Sequence, residues 1–238
     1  MKKSLFSILF VFTLFIGGKA ASADEKTFGD YNEIAEKMRQ DGASESDISS
    51  VITKLQNDEP LDSEKTSGEA VLFNYTELEM VNNPFAATAE NPKKVNRYPD
   101  GSYNIVELDI ENDEEAATPY SSGSFKTIKV TGKNALSNAS YSARVYLNTH
   151  NGNNYIDKVY GKNIHTIAGT FSDDKLAISR KTENRSQKIT AKSSLYFKYT
   201  NYKNMSAKTI YLRMHTGDSL KDRLGIWVSM TDGSASYK

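Results

Sequence analysis

The chain contains no cysteine, so it can form no disulfide and offers no thiol nucleophile, lipobox thiol or thiolate metal ligand. Whatever it builds must be held by packing alone. Histidine is nearly as scarce, with His150, His165 and His215 the only three. None has a second ligand at short spacing, so a zinc site would require all three to converge from separate segments. There is no Gly-x-Ser-x-Gly elbow, no His-Glu-x-x-His pair and no phosphate-binding loop. Nothing in the sequence selects a serine triad using Asp157, Asp173 or Asp218, and few carboxylates follow Pro119 from which a glycosidase pair could be drawn. The acidic run from Asp109 to Glu115 lacks the glycine that a calcium loop needs for its turn. The chain is therefore read as non-catalytic, with no cofactor and no metal site.

Long apolar runs are also missing beyond the start of the chain, so no later segment is expected to span a membrane as a helix. At the start, Met1, Lys2 and Lys3 precede an apolar stretch from Leu5 to Ile16, and Ala21, Ser22 and Ala23 supply the small residues a signal peptidase reads. Residues 1–23 are predicted to be a signal peptide, and the mature protein to be secreted and extracellular. The carboxyl-terminal stretch from Asp232 to Lys238 has no apolar run followed by a basic tail, so covalent wall anchoring is not expected.

What is abundant is charge, unevenly placed. Residues 24–119 hold 23 Asp/Glu against 8 Lys/Arg, a net of −15, and residues 120–238 hold 7 against 19, a net of +12. The change falls within 111–123, a Glu/Asp-rich, Ala/Thr/Pro/Ser/Gly stretch with the composition of a linker.

The acidic half opens with helical spacing. Phe28, Tyr31, Ile34, Ala35 and Met38 repeat on one face, Gly42 stands where a helix stops, and Ser44 with Asp47 has the form of a capping box. Ile48, Val51, Ile52 and Leu55 then form a second stripe that Pro60 ends. Residues 24–63 are predicted to be a short helical hairpin, too small to bury a core by itself. The run from Gly42 to Ser63 resembles an amino-terminal element of uncharacterised secreted Gram-positive bacterial proteins, a resemblance that implies a helical hairpin ahead of a β-rich part and carries no activity. Residues 64–119 read as an acidic connector with an apolar patch at Val71, Leu72 and Phe73 and a strand at 103–110, where Val106, Leu108 and Ile110 alternate.

From Phe125 onward the period is two. In residues 188–200, Ile189, Ala191, Ser193, Leu195, Phe197 and Tyr199 share one face, and Lys188, Lys192, Tyr196 and Lys198 share the other. Alternation recurs in runs through Tyr141 to Leu147, Leu176 to Ile178, Ile210 to Met214 and Leu224 to Met230. With Ile128 to Val130 and one strand at Ile164 to Phe171, about seven strands result. The predicted fold class is mainly β, an antiparallel β-sandwich at 120–238 preceded by the α-helical hairpin.

Lys188, Lys192, Tyr196, Lys198, Tyr211 and Arg213 are the candidate binding residues, read as an exposed face where cations and rings lie together. Ammonium groups attract phosphate or carboxylate at range, while rings stack on sugars. The functional expectation is a secreted non-catalytic protein whose basic β-domain binds an anionic cell-envelope polymer or membrane surface, shielded by the acidic region. No nucleic-acid motif is present, and nucleic acid is not expected as a partner. A β-rich, bacteriocin-like membrane-active toxin is the alternative, and a hydrolase with an unrecognised site the second.

Overall fold

The structure, a computed structural model, describes residues 31–65, 86–112, 123–148, 152–187, 189–201, 207–217 and 225–232. The predicted signal peptide, the apolar patch at 71–73, most of the 111–123 linker, Lys188 and His150 lie outside the described residues. Two helices come first, α1 (Tyr31–Gln40) and α2 (Glu45–Gln56). The strands that follow are β1 (Ala86–Thr88), β2 (Lys93–Arg97), β3 (Tyr103–Asn112), β4 (Gly123–Asn134), β5 (Ser137–Asn148), β6 (Tyr155–Thr166), β7 (Thr170–Arg180), β8 (Ala191–Thr200), β9 (Ala207–Thr216) and β10 (Ile226–Asp232). They form two five-stranded sheets, ordered β1-β10-β9-β8-β7 (sheet A) and β2-β3-β4-β5-β6 (sheet B), with antiparallel pairing throughout. The architecture is the mainly β sandwich behind a helical hairpin that the alternation implied.

The core lies between the sheets. Ala191, Leu195, Phe197 and Tyr199 of β8 and Leu212 and Met214 of β9 meet Val130 of β4 and Tyr141, Ala143 and Val145 of β5, all essentially without solvent contact. Burying a side chain of this size stabilises the fold by about 1.5–3 kcal/mol. One polar pair sits among them, the Tyr141 hydroxyl 3.1 Å from the Ser193 hydroxyl, so neither dipole is stranded.

The acidic half contributes to this core. Ala87 of β1 and Val106 and Leu108 of β3 belong to the same buried cluster as the strands after Gly123. The strand read at 103–110 extends to Asn112, and β1 and β2 arise where only connector was legible. β2, with its sequence Lys-Lys-Val-Asn-Arg, is an edge strand whose lysines are exposed, so no apolar alternation marks it. The single strand expected at Ile164 to Phe171 is instead the end of β6 and the start of β7, joined by a turn at 167–169 in which Gly169 takes φ +96° and the chain reverses. β6 itself is interrupted by register shifts opposite Ser140/Ser142 and Arg144/Val145, which break the period of two that would have revealed it.

The helices pack on sheet B. Ile34, Met38, Ile48, Val51, Leu55 and Leu61 are buried against Tyr103 and Ile105 of β3, Ala135 and Leu136 of the β4–β5 turn, and Ala168. The capping box is present: the Asp47 amide donates to the Ser44 hydroxyl at 3.2 Å, and the Ser44 amide to the Asp47 carboxylate at 3.3 Å. Gly42, at φ +85°, ends α1. Behind α2, the buried Asp100 carboxylate accepts from the Ser102 hydroxyl at 2.6 Å, the Ser102 amide at 2.9 Å, the Asp62 amide at 2.6 Å and Lys54 Nζ at 3.1 Å. Lys208 Nζ donates to the Ser63 carbonyl at 3.0 Å, tying the end of the helical segment to β9.

Candidate functional site

Five of the six residues expected to form a basic aromatic face are described, on the outer face of sheet A. Pairing aligns Lys192 with His215, Ser194 with Arg213 and Tyr196 with Tyr211. The Tyr196 and Tyr211 rings lie 5.9 Å apart, and the Arg213 guanidinium covers Tyr211 at 4.2 Å. The expectation that this face is open fails at Arg213, which is only 2% exposed. Strand alternation assigns Arg213 correctly to the face away from the core, but period alone does not report what covers that face. Trp227, Ser229 and His215 beside it are equally buried. Lys198 is exposed yet paired with Asp173 at 2.7 Å. Tyr196, Tyr211 and Arg213 are thus brought together, whereas Lys198 is turned to another partner.

Sheet B carries the open face. Its strands set side chains away from the core in rows: Lys93, Glu107, Thr131, Ser140 and Asn163 in one, and Asp109, Lys129, Ser142 and Tyr160 in the next. Over these rows lies a groove of about 460 Å³, lined by Lys93, Lys129, Lys133, Thr131, Asn138, Ser140 and Asn163 together with Glu107 and Asp109. Glu107 accepts Lys93 at 3.0 Å and Lys133 at 2.9 Å. Burial works to raise its pKa, but these two ammonium groups outweigh it and hold the carboxyl below its ordinary value. Lys133 also stands 3.8 Å from Asp41 at the end of α1, where Asp41 accepts the Tyr103 hydroxyl at 2.7 Å. The remaining lining is unengaged: the side chains of Thr131, Asn138, Ser140 and Asn163 and the exposed Lys129 have no partner among the described residues.

Farther from the helices, the same face carries a row of rings. Phe125, Tyr146 and Tyr155 are aligned across β4, β5 and β6. Tyr146 and Tyr155 stack at 5.2 Å and 21°, and Phe125 meets Tyr146 edge-on at 5.1 Å. Arg144 lies 3.8 Å over the Phe125 ring and 3.3 Å from Asp157. Burial, then Asp157 and Tyr146, raise the Tyr155 pKa, so its phenol stays neutral at physiological pH.

No protein-family profile and no curated protein matches the chain. Among solved structures, it is similar to a hypothetical protein from Listeria monocytogenes EGD-e, at 13% identity and a TM-score of 0.31, over 63% of this chain and 95% of that one. A likeness at that level carries no argument.

The two described histidines do not converge. His165 lies on β6, exposed and 3.9 Å from Glu33 of α1. His215 is on the other sheet, sealed from solvent, with Nδ1 3.1 Å from the Thr190 hydroxyl and its ring stacked on Trp227. Of the carboxylates weighed as catalytic partners, Asp157 pairs with Arg144 and Asp173 with Lys198, while Asp218 lies outside the described residues. Among the described residues, no group of three His, Asp or Glu could hold a metal ion, and no helix is long and apolar enough to cross a membrane.

Neither the groove nor the ring row was legible in the sequence. Each is assembled across consecutive strands of sheet B, and register, which sequence does not state, places Lys129 beside Ser142 and Phe125 beside Tyr146.

Proposed function

We propose that this is a secreted, non-catalytic protein that binds an anionic, polyhydroxylated cell-envelope polymer in the groove on the outer face of sheet B. The observation that carries this reading is the groove's lining: lysines stand beside Thr131, Asn138, Ser140 and Asn163, whose side chains have unused hydrogen-bonding capacity among the described residues. Ammonium groups recognise phosphate or carboxylate, and the amides and hydroxyls match the hydroxyls of a sugar or polyol. The acidic region contributes a competing charge at the groove wall, because Asp41 stands 3.8 Å from Lys133. A bound polyanion takes over that lysine. The hairpin is nevertheless fixed beside the sandwich, since six buried apolar side chains hold it there.

The test uses the whole mature chain with two polymers, poly(glycerol phosphate) and polygalacturonate, and vesicles of phosphatidylglycerol and phosphatidylcholine. The protein retards both polymers in affinity electrophoresis, retardation weakens as salt rises, and Lys129→Glu reduces it severalfold. Lys129→Glu sets a second carboxylate opposite Asp109, so thermal unfolding of the variant separates lost binding from lost stability. Binding to vesicles alone would point to a membrane surface. Equal retardation of Lys129→Glu and the unaltered protein would overturn the reading.

A further inference from the structure

We infer that Lys208, Asn201 and Glu64 form a self-reacting centre, in which the Lys208 amine joins the Asn201 side chain as an isopeptide and ammonia is released. The inference is independent of the groove on sheet B.

The three residues are polar and sealed from solvent: Lys208 is 8% exposed, Glu64 4% and Asn201 2%. Burying an amine, a carboxyl and an amide together costs stability unless the groups serve one another. Sheet register brings them to one place. Lys208 of β9 stands opposite Tyr199 of β8, and Asn201 follows Tyr199 by two residues, so strand alternation directs Asn201 and Lys208 to the core side that Tyr199 occupies. The two are diagonal neighbours, about 7–8 Å apart between backbones, within reach of a lysine side chain. From the other side, Lys208 Nζ is fixed by donating to the Ser63 carbonyl at 3.0 Å. The next residue, Glu64, faces Lys208, Tyr199 and Asn201, and its Oε1 is buried with no hydrogen-bond partner among the described residues. Burial raises the Glu64 pKa against the pull of Lys208, so this carboxyl is suited to taking and returning a proton.

The reaction uses only these groups. Glu64 takes a proton from the Lys208 ammonium, and the freed amine is a nucleophile held against its target. Nζ attacks Asn201 Cγ and the Nζ–Cγ bond forms. Glu64 gives its proton to Nδ2 and takes one from Nζ, and the Cγ–Nδ2 bond breaks with its electron pair leaving on nitrogen. Amine plus primary amide thus gives secondary amide plus ammonia, which departs as ammonium with the proton held by Glu64. No oxidant, reductant or cofactor enters the balance.

Mass spectrometry of the whole folded chain tests this. The intact mass is expected to fall short of the sequence mass by one ammonia. Trypsin should then fail to cut after Lys208, and residues 199–203 and 204–213 should emerge as one branched peptide whose fragments place the bond between Asn201 and Lys208. Lys208→Met, which keeps the side-chain length without the amine, and Glu64→Gln, which removes the proton carrier, should both restore the full mass. An unshifted mass with free cleavage at Lys208 in the unaltered protein would overturn the inference, and this readout does not depend on either variant folding. Loss of ammonia with Lys208 still cleaved would also overturn it, since Asn151 before Gly152 can lose ammonia by closing on its own backbone. A branched peptide that persists in Glu64→Gln would remove Glu64 from the proposed centre.

Discussion

His215 and Trp227 stand opposite each other on β9 and β10, their rings stacked 4.8 Å apart at 11°. The pair is fully enclosed, and the imidazole is held neutral: burial, reinforced by Lys192, Arg213 and Arg180, pushes its pKa well below 6.5. Because the folded-state pKa lies below that of the unfolded chain, the unfolded chain binds the proton first. Stability from this site is complete above pH 6.5 and drains away as pH falls below it. The melting temperature should therefore drop between pH 7 and pH 5, and His215→Phe, which keeps an aromatic partner for Trp227, should flatten that slope. Differential scanning calorimetry at several pH values checks this, and an unchanged slope would count against it. Trp227 is the chain's one tryptophan, so its fluorescence follows the same transition without a label.

Asp100 predicts acid sensitivity at lower pH. Its burial favours the neutral form, but hydrogen bonds from Ser102 and the Asp62 amide, with Lys54, win and lower its pKa from 3.8. The stabilisation is present above the unfolded value and is lost as pH falls through the folded one. Asp100→Asn should destabilise the protein by about 1–3 kcal/mol at pH 7, because buried donors lose a charged acceptor, and the difference from the unaltered chain should shrink below pH 4. Urea titrations at pH 7 and pH 3 make the comparison.

The helical hairpin depends on apolar packing more than on its charges. Met38 is fully buried, whereas Glu36 is exposed and pairs with Arg39 on the surface. Met38→Ala should cost about 2–5 kcal/mol and Glu36→Ala less than about 1 kcal/mol. Comparable losses from both, measured by chemical denaturation, would mean that the charge pattern holds the hairpin.

The helix stripes, the capping box at Ser44 and Asp47, and the alternation in β5, β8 and β9 were legible because burial on one face imposes a period on the sequence. β2 was not, since an edge strand of Lys93, Lys94, Val95, Asn96 and Arg97 buries little. β6 was hidden by its bulges, where Gly161 takes φ +65°. The basic aromatic face expected around Lys192, Tyr196 and Arg213 was placed on the right side of its strands, but burial of Arg213 closes part of it. The open counterpart on sheet B pairs Lys129 with Ser142 and Tyr146 with Tyr155, contacts between strands whose register no local pattern reveals.

The charge boundary near Pro119 invites the idea that the acidic half is a removable propeptide, and strand pairing gives a definite expectation. β3 and β4 lie on either side of that boundary, yet they pair continuously from Asn104 with Asn134 to Asn112 with Lys126. β1 likewise pairs with β10, placing Ala87 opposite Val228 in the core. Removing residues before Gly123 would strip β1 from one sheet and β2 and β3 from the other, taking Leu108 from beside Val130, Ile110 from beside Ile128 and Ala87 from beside Val228, and a side chain of this size is worth about 1.5–3 kcal/mol when buried. A protease site inserted between Asn112 and Gly123 should therefore give two fragments that co-elute on gel filtration and separate only in denaturant. Free elution of the basic fragment in native buffer would show that the ladder between β3 and β4 does not hold the halves together, and the acidic half would then be a releasable shield.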